Sequence, residues 1–168
     1  DDTEIEVQVN SEFENKTNAE KVALVYLEEI GRLPKLFRKN LETVSIHKGY
    51  ENFGGGNNNF VIHHDNGLEL KKYGLLEEIF LHEGVHTSLD SDHSLSNAWI
   101  NAQKADNGNF ISDYAKQKPK REDLAETVPL CFALKYKRDR LSDHTIKKIE
   151  KTIPNRIEYC NSVFEKMK

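Results

Sequence analysis

The spacing of apolar residues predicts helices along most of the chain. From Val22 to Ile30 apolar residues recur every three or four positions, which is typical of one face of an amphipathic helix. We expect this first helix to begin near the cap residue Asn18 and to end at Gly31. The preceding residues, 1–17, are polar and acidic, and they predict an extended or loose arm.

Two short segments have the pattern of strands instead. Residues 41–47 alternate between apolar and polar positions, and residues 60–64 form a short, largely apolar run. The segment between them, 48–59, is rich in glycine and asparagine and predicts a loop. The Asp-Asn-Gly triplet at 65–67 predicts a tight turn after the second strand. Residues 33–40 are expected to form a short helix between the first helix and the strands.

The remainder of the chain returns to helical spacing. We expect a helix within 73–90, another over 121–136, and one or two closing helices over 142–167. Pro129 lies inside the second of these and is expected to kink or interrupt it. Together the elements predict an α+β fold that is mostly helical, with a small sheet.

Composition is consistent with one domain and excludes some classes of partner. A chain of 168 residues with 37% hydrophobic residues can bury a core without metal or disulfides. The net charge of −4 gives no reason to expect nucleic acid or an anionic membrane as a partner. No apolar run approaches the roughly 18 residues that a membrane span requires. We expect a monomer.

A few residues bear on the cellular compartment and on thiol chemistry. The sequence begins with Asp1 rather than Met, as a mature or trimmed chain would, and residues 15–17 form an N-glycosylation sequon. We therefore expect a secreted protein. Cys131 and Cys160 belong to no zinc-ligand cluster, and the sequence leaves open whether they are paired or free.

The helix predicted over 73–90 carries HEGVH at 82–86. Its two histidines are four residues apart, so both side chains lie on one helix face and can bind one Zn²⁺ at about 2.0–2.1 Å. Glu83 lies about 100° further round, where it can take a proton from a metal-activated water. The alternative is two histidines that share a helix by chance. Gly84 is costly inside a helix, so we expect a close neighbour there, either the strand or the C-terminal helix.

A catalytic zinc also needs a third protein ligand, and the sequence offers three candidates. Asp92 has metzincin-like spacing from His86, but that pattern requires a glycine where this chain has Leu89. His93 is one position further along. Glu122 begins a Glu-x-x-x-Glu pair on a second predicted helix, where the alternative is solvated acids at a helix N-terminus.

The combination of HExxH with ExxxE resembles the gluzincin metallopeptidases. The segment 111–126, ISDYAKQKPKREDLAE, is similar to the corresponding segment in the group that contains the anthrax lethal factor catalytic domain and the Pro-Pro endopeptidases. The resemblance implies a zincin-like fold for residues 18–168, preceded by the arm at 1–17. It also implies a zinc-dependent endopeptidase.

The resemblance assigns roles to individual residues. His82, His86 and Glu122 correspond to the zinc ligands, Glu83 to the catalytic base, and Glu126 to a supporting acid beside the ligands. Tyr114 corresponds to a tyrosine that donates a hydrogen bond to the tetrahedral intermediate, although it lies one residue further from Glu122 than in the family pattern.

The resemblance also implies where a substrate lies. In this group the strand before the active helix is an edge strand, to which an extended peptide adds as a further strand. That strand corresponds to Phe60–His64, and the expected partner is a peptide or protein substrate.

Two other functions remain open. One is a zinc-binding interaction or toxin module without activity, against which Glu83 argues because such a module has no need of the base. The other is a zinc peptidase that uses Asp92 as its third ligand.

Overall fold

A computed structural model describes residues 4–166 of the chain. The chain divides into two compact units, one that ends at Ser88 and one that begins at Leu89. The predicted fold class is confirmed, since a small four-stranded sheet accompanies many helices. The strands are β1 (Glu6–Val9), β2 (Thr43–His47), β3 (Gly54–Gly56) and β4 (Asn59–His63); the helices are α1 (Lys16–Arg32), α2 (His64–Lys72), α3 (Leu76–Ser88), α4 (Asp90–His93), α5 (Asn97–Ala105), α6 (Asp113–Gln117), α7 (Glu122–Tyr136), α8 (Asp143–Thr152) and α9 (Pro154–Glu165).

None of the helices within residues 4–166 has the length and apolar character that crossing a bilayer requires.

The sheet lies in the first unit and has the order β1-β2-β4-β3. Strands β1, β2 and β4 are parallel, and β3 is antiparallel to β4. Alternate residues of β2 and β4 are buried, as the period of two along a strand requires. These buried residues form the inner face of the sheet: Val44, Ile46, Phe60 and Ile62.

The N-terminal segment is partly ordered by the sheet. Residues 6–9 are extended, as expected, but they pair in parallel with β2 rather than forming a loose arm. Phe13, in the 3-10 turn that follows, is buried. Helix α1 then begins earlier than predicted, because the side chain of Asn15 accepts a hydrogen bond from the backbone N–H of Asn18 and caps the helix. Residues 1–3 lie outside the described part of the chain.

The glycine-rich segment is not a simple loop. Gly54–Gly56 forms β3, and Asn57 and Asn58 make the turn to β4 with positive φ angles of 49° and 60°. Asparagine tolerates this left-handed region, which a two-residue hairpin of type I′ requires at both positions. The prediction of Phe60–His64 as the edge strand is therefore wrong. Residues 60–63 lie in β4, between β2 and β3, His64 begins α2, and β3 is the edge.

The predicted turn at 65–67 is also wrong, because these residues lie in the first turn of α2. Gly67 is required by packing rather than by a turn: a Cβ atom built there would lie 2.3 Å from the hydroxyl oxygen of Tyr26. The helix start is held by Asp65, whose carboxylate accepts a hydrogen bond of 2.9 Å from the backbone N–H of Gly49.

Aromatic rings fill the core of the first unit. Phe80 of α3 stacks on Phe60 of β4 with centroids 5.7 Å apart, and it lies 5.6 Å from Phe53. Tyr26 of α1 contacts the edge of Phe80 at 6.4 Å. The face of α1 that carries Tyr26 and Ile30 was predicted to be apolar, and both residues are buried. The ring contacts join this face to the sheet and to α3.

Helices are the only regular secondary structure among the described residues of the second unit. Helix α7 continues through Pro129, so the predicted interruption there does not occur. Two closing helices, α8 and α9, are confirmed. A hydrophobic core cluster of this unit consists of the aliphatic side chains of Ile111, Leu134, Ile146, Ile149 and Ile153. Cys131 and Cys160 are buried free thiols, and burial, together with a hydrogen bond to Cys131, raises the pKa of Cys160.

Two glycines inside helices have opposite surroundings. Gly31 does not end α1 as predicted; it is exposed within the helix, and a Cβ atom there would meet nothing within 4 Å. Gly84 has a close neighbour, as the energetic cost of glycine inside a helix predicts. That neighbour is Phe37, in the 3-10 turn Lys35–Phe37, and not a strand or the C-terminal helix. A Cβ atom at Gly84 would lie 2.5 Å from the carbonyl oxygen of Phe37 and 2.8 Å from its Cβ.

These surroundings predict opposite effects of one substitution. Gly31→Ala should raise the free energy of unfolding by about 1 kcal/mol, because alanine restricts the unfolded chain and no atom opposes its methyl group. Gly84→Ala should lower it by about 1–3 kcal/mol, because the backbone of Phe37 must move. Urea unfolding followed by circular dichroism measures both. Equal effects of the two substitutions would contradict the close packing at Gly84.

Candidate metal centre

The HEGVH segment lies in the second half of α3, as predicted. The rings of His82 and His86 have centroids 5.0 Å apart and planes at 78°, so both imidazoles occupy the same helix face. His86 and Glu83 are 7% and 8% exposed, and His82 is half-buried. Ionisable side chains are rarely this buried unless they are paired or bind a metal.

The strand-to-helix packing around α3 is unusually close. A Cβ atom at Gly55 would lie 2.3 Å from the carbonyl oxygen of Glu83, so only glycine allows β3 to lie against the helix at this point. Thr87, next to His86, accepts a hydrogen bond of 3.0 Å from the N–H of Gly56 and donates one of 3.3 Å to the carbonyl of Asn59. The β3–β4 hairpin is therefore attached to α3 beside the two histidines.

Glu122 is the first residue of α7 and is 4% exposed. Its Oε1 atom lies 3.3 Å from Nε of Arg121. A carboxylate has two oxygen atoms, and each can accept more than one hydrogen bond or bind a metal ion.

One ligand atom from each of His82, His86 and Glu122 lies within 4.8 Å of the other two. Two imidazole nitrogens and a carboxylate oxygen are a donor set found in catalytic zinc sites. Ligands bound tetrahedrally at 2.0–2.2 Å are about 3.4 Å apart, which lies within the 4.8 Å limit that the three ligand atoms meet. The residues therefore fit a zinc ion.

The other candidate ligands do not join this group. Asp92 is exposed on the short helix α4. Nδ1 of His93 and the hydroxyl of Tyr159 share a hydrogen bond of 2.6 Å. Within residues 4–166 the candidate metal group contains neither of them, which favours Glu122 as the third ligand.

The two remaining predicted site residues lie on elements of the second unit. Tyr114 is on α6 with 42% of its surface exposed, and the ammonium group of Lys118 lies 5.1 Å from the centre of its ring. Glu126 is half-buried, one helical turn after Glu122 on α7. Their proposed roles stay predictions.

Sequence reasoning missed a buried charged cluster next to Glu122. Asp123 is fully buried and forms an ion pair of 2.6 Å with Arg156, which is itself 0% exposed. Burial raises the pKa of Asp123, while the hydrogen bond from Gln103 and the charge of Arg156 oppose that rise. The sequence does contain a signal, because Arg156 lies on the apolar face of α9, between Ile153 and Cys160 at helical spacing.

Family models, curated proteins and solved structures gave no match to this chain. What supports a function for this protein is therefore its own residues and their arrangement.

The arrangement predicts which acid binds the metal. Glu122→Ala should reduce zinc affinity by more than the 10–100-fold that loss of an outer partner typically causes, because one of three ligands is removed. Asp92→Ala, an equal truncation of an exposed acid, should leave the affinity unchanged. Competition with a chromogenic chelator measures both. Loss of zinc in Asp92→Ala and retention in Glu122→Ala would contradict the assignment.

Proposed function

We propose that this protein is a zinc-dependent endopeptidase that uses His82, His86 and Glu122 as metal ligands. The main support for the proposal is that ligand atoms of these three residues lie close together. The two histidines also flank Glu83 in an HExxH sequence on one helix. A cluster of donors alone supports metal binding. The buried acid between the histidines adds the group that hydrolysis requires.

Zinc held there would polarise a substrate carbonyl and lower the pKa of a bound water to near 7, which supplies a nucleophile at neutral pH. Glu83 would accept the proton of that water and pass it to the leaving amine. Its position one residue after His82 directs it beside the metal rather than onto it, since successive helical residues differ by about 100°.

Two further residues have proposed supporting roles. Tyr114 would donate a hydrogen bond to the oxyanion that develops on the substrate carbonyl. Its exposure on α6 is compatible with contact to a bound peptide. Glu126 shares a helix face with Glu122 and would hydrogen-bond a ligating histidine, which fixes the tautomer that binds metal.

The substrate-binding strand is assigned to β3 rather than to Phe60–His64. Strand β3 is at the edge of the sheet, and its backbone passes the carbonyl of Glu83 at Gly55. Its three residues are glycines, so no side chain of β3 itself obstructs a peptide that adds at this edge. An extended substrate would pair with β3 through main-chain hydrogen bonds.

A zinc-binding module without activity is the other function that the donor group allows. Such a module has no use for a buried acid between its two histidine ligands. Digestion of a peptide library by the zinc-loaded protein separates the two functions.

Glu83→Gln should reduce kcat/KM on a cleaved peptide by about 10²–10⁴-fold, because the amide is not a base. Its zinc affinity should be unchanged. Glu78→Gln makes the same change at an exposed acid of α3 and should retain activity. A peptide-library digest read by mass spectrometry identifies the peptide. Zinc binding without cleavage by the wild type would favour the non-catalytic module.

Pairing of the substrate with β3 predicts an alternating effect of backbone methylation. An N-methyl group removes the amide donor, and in an extended peptide only every second amide points toward the neighbouring strand. A scan of N-methylated versions of the cleaved peptide should therefore raise KM at alternate positions on one side of the scissile bond. A uniform effect along the peptide would contradict binding by strand addition.

A further inference from the structure

A buried arginine in the second unit joins two buried carboxylates. The side chain of Arg156 on α9 is 0% exposed, and it donates from Nε to Asp106 at 2.9 Å and from Nη1 to Asp123 at 2.6 Å. Its Nη2 donates to the carbonyl of Asn109, and its guanidinium lies 5.2 Å from the ring of Phe110. The donors of the guanidinium are thus directed to several fixed partners.

Asp106 anchors one end of this cluster. It follows the last residue of α5, and its Oδ1 accepts bonds of 2.8 Å from both the backbone N–H and the side-chain amide of Asn155. Its Oδ2 also accepts a bond of 3.2 Å from the backbone N–H of Arg156. Asp106 therefore caps the N-terminus of α9, where a carboxylate is favoured.

Asp123 forms the other end and is adjacent to Glu122. Gln103 on α5 donates to its Oδ2 at 2.7 Å, and Thr127 donates to its Oδ1 at 3.5 Å. The first turn of α7 is thus connected through one side chain to both α5 and α9.

Stability alone does not account for such a cluster. Burying ions costs several kcal/mol per group, and well-packed apolar residues in their place are often as stable or more so. What a buried ion pair supplies is a fixed geometry, because breaking or shifting it leaves a charge without a partner. The residue whose geometry is fixed here is Asp123, and its neighbour is the proposed metal ligand.

We propose that Asp123 is a positioning residue which, held by Arg156 and Gln103, fixes the first turn of α7 so that Glu122 is preorganised for metal binding. The inference rests on the proposed function, in which Glu122 is a zinc ligand. Helix ends fray, and Glu122 is the first residue of its helix. If the first turn frayed, Glu122 would lose conformational entropy when it bound metal. If Asp123 already holds that turn in place, this loss is smaller.

The test compares two isosteric substitutions in the same cluster. Asp123→Asn and Asp106→Asn each remove one charge beside Arg156, and each changes a buried carboxylate that accepts bonds on both oxygens. Only Asp123 adjoins Glu122. Asp123→Asn should weaken zinc binding about 10-fold, the lower end of the effect of outer partners, while Asp106→Asn should not weaken it. Chelator competition gives the affinities, and thermal unfolding gives the stability of each variant.

The absorption spectrum of the Co²⁺-substituted protein supplies a readout that a merely structural role would not change. Its visible bands depend on coordination geometry. They should change in Asp123→Asn and match the wild type in Asp106→Asn. Equal zinc affinities and equal spectra in the two variants would overturn the inference. It would also be overturned if the loss of zinc affinity in each variant simply paralleled its loss of thermal stability.

A second matched pair applies if either asparagine variant fails to fold. Gln103→Ala removes one side-chain donor from Asp123, and Asn155→Ala removes one from Asp106, while both ion pairs of Arg156 remain. Gln103→Ala should weaken zinc binding, and Asn155→Ala should not; equal affinities would overturn the inference. Absence of zinc binding in the wild type would instead contradict the proposed function, so the two failures are distinguishable.

Discussion

Two imidazoles bind one metal ion more tightly when the helix that carries them is already fixed, and close backbone packing fixes α3. The carbonyl of Phe37 approaches the helix at Gly84, and the strand β3 approaches it at Gly55. Neither approach leaves room for a Cβ atom. Thr87 adds hydrogen bonds from the helix to the β3–β4 hairpin. These contacts position His82, Glu83 and His86 as one rigid set, and the proposed chemistry depends on that rigidity.

The cost of this arrangement is the burial of ionisable groups. Glu83, His86 and Glu122 are each less than a tenth exposed, and Asp106, Asp123 and Arg156 are buried as well. Buried charges are tolerated when they are paired or coordinate a metal, and otherwise they cost several kcal/mol each. In the first set, His86 and Glu122 are proposed metal ligands and Glu83 is the proposed base, whereas the second set is an ion-pair cluster. The two sets adjoin at Glu122 and Asp123, and the proposed metal binding would therefore depend on the packing of α5, α7 and α9.

The sequence predicted elements whose signals are local. The helical spacing around 82–86 placed the histidines on one helix, and the Glu-x-x-x-Glu pair placed Glu122 at the start of another. Predictions failed where a residue serves packing rather than local conformation. Gly67 predicted a turn but lies against Tyr26, and the glycines of β3 predicted a loop but allow a strand to lie against α3. Pairing of strands distant in sequence, which makes β3 rather than β4 the edge, leaves no local signal.

Anomalous diffraction from crystals of the zinc-loaded protein, measured at the zinc absorption edge, locates the metal and identifies its ligands. One strong peak is expected within bonding distance of His82, His86 and Glu122, with a further position open to water. A peak bonded to other side chains, such as Asp92, or no peak at saturating zinc, would contradict the proposed zinc site.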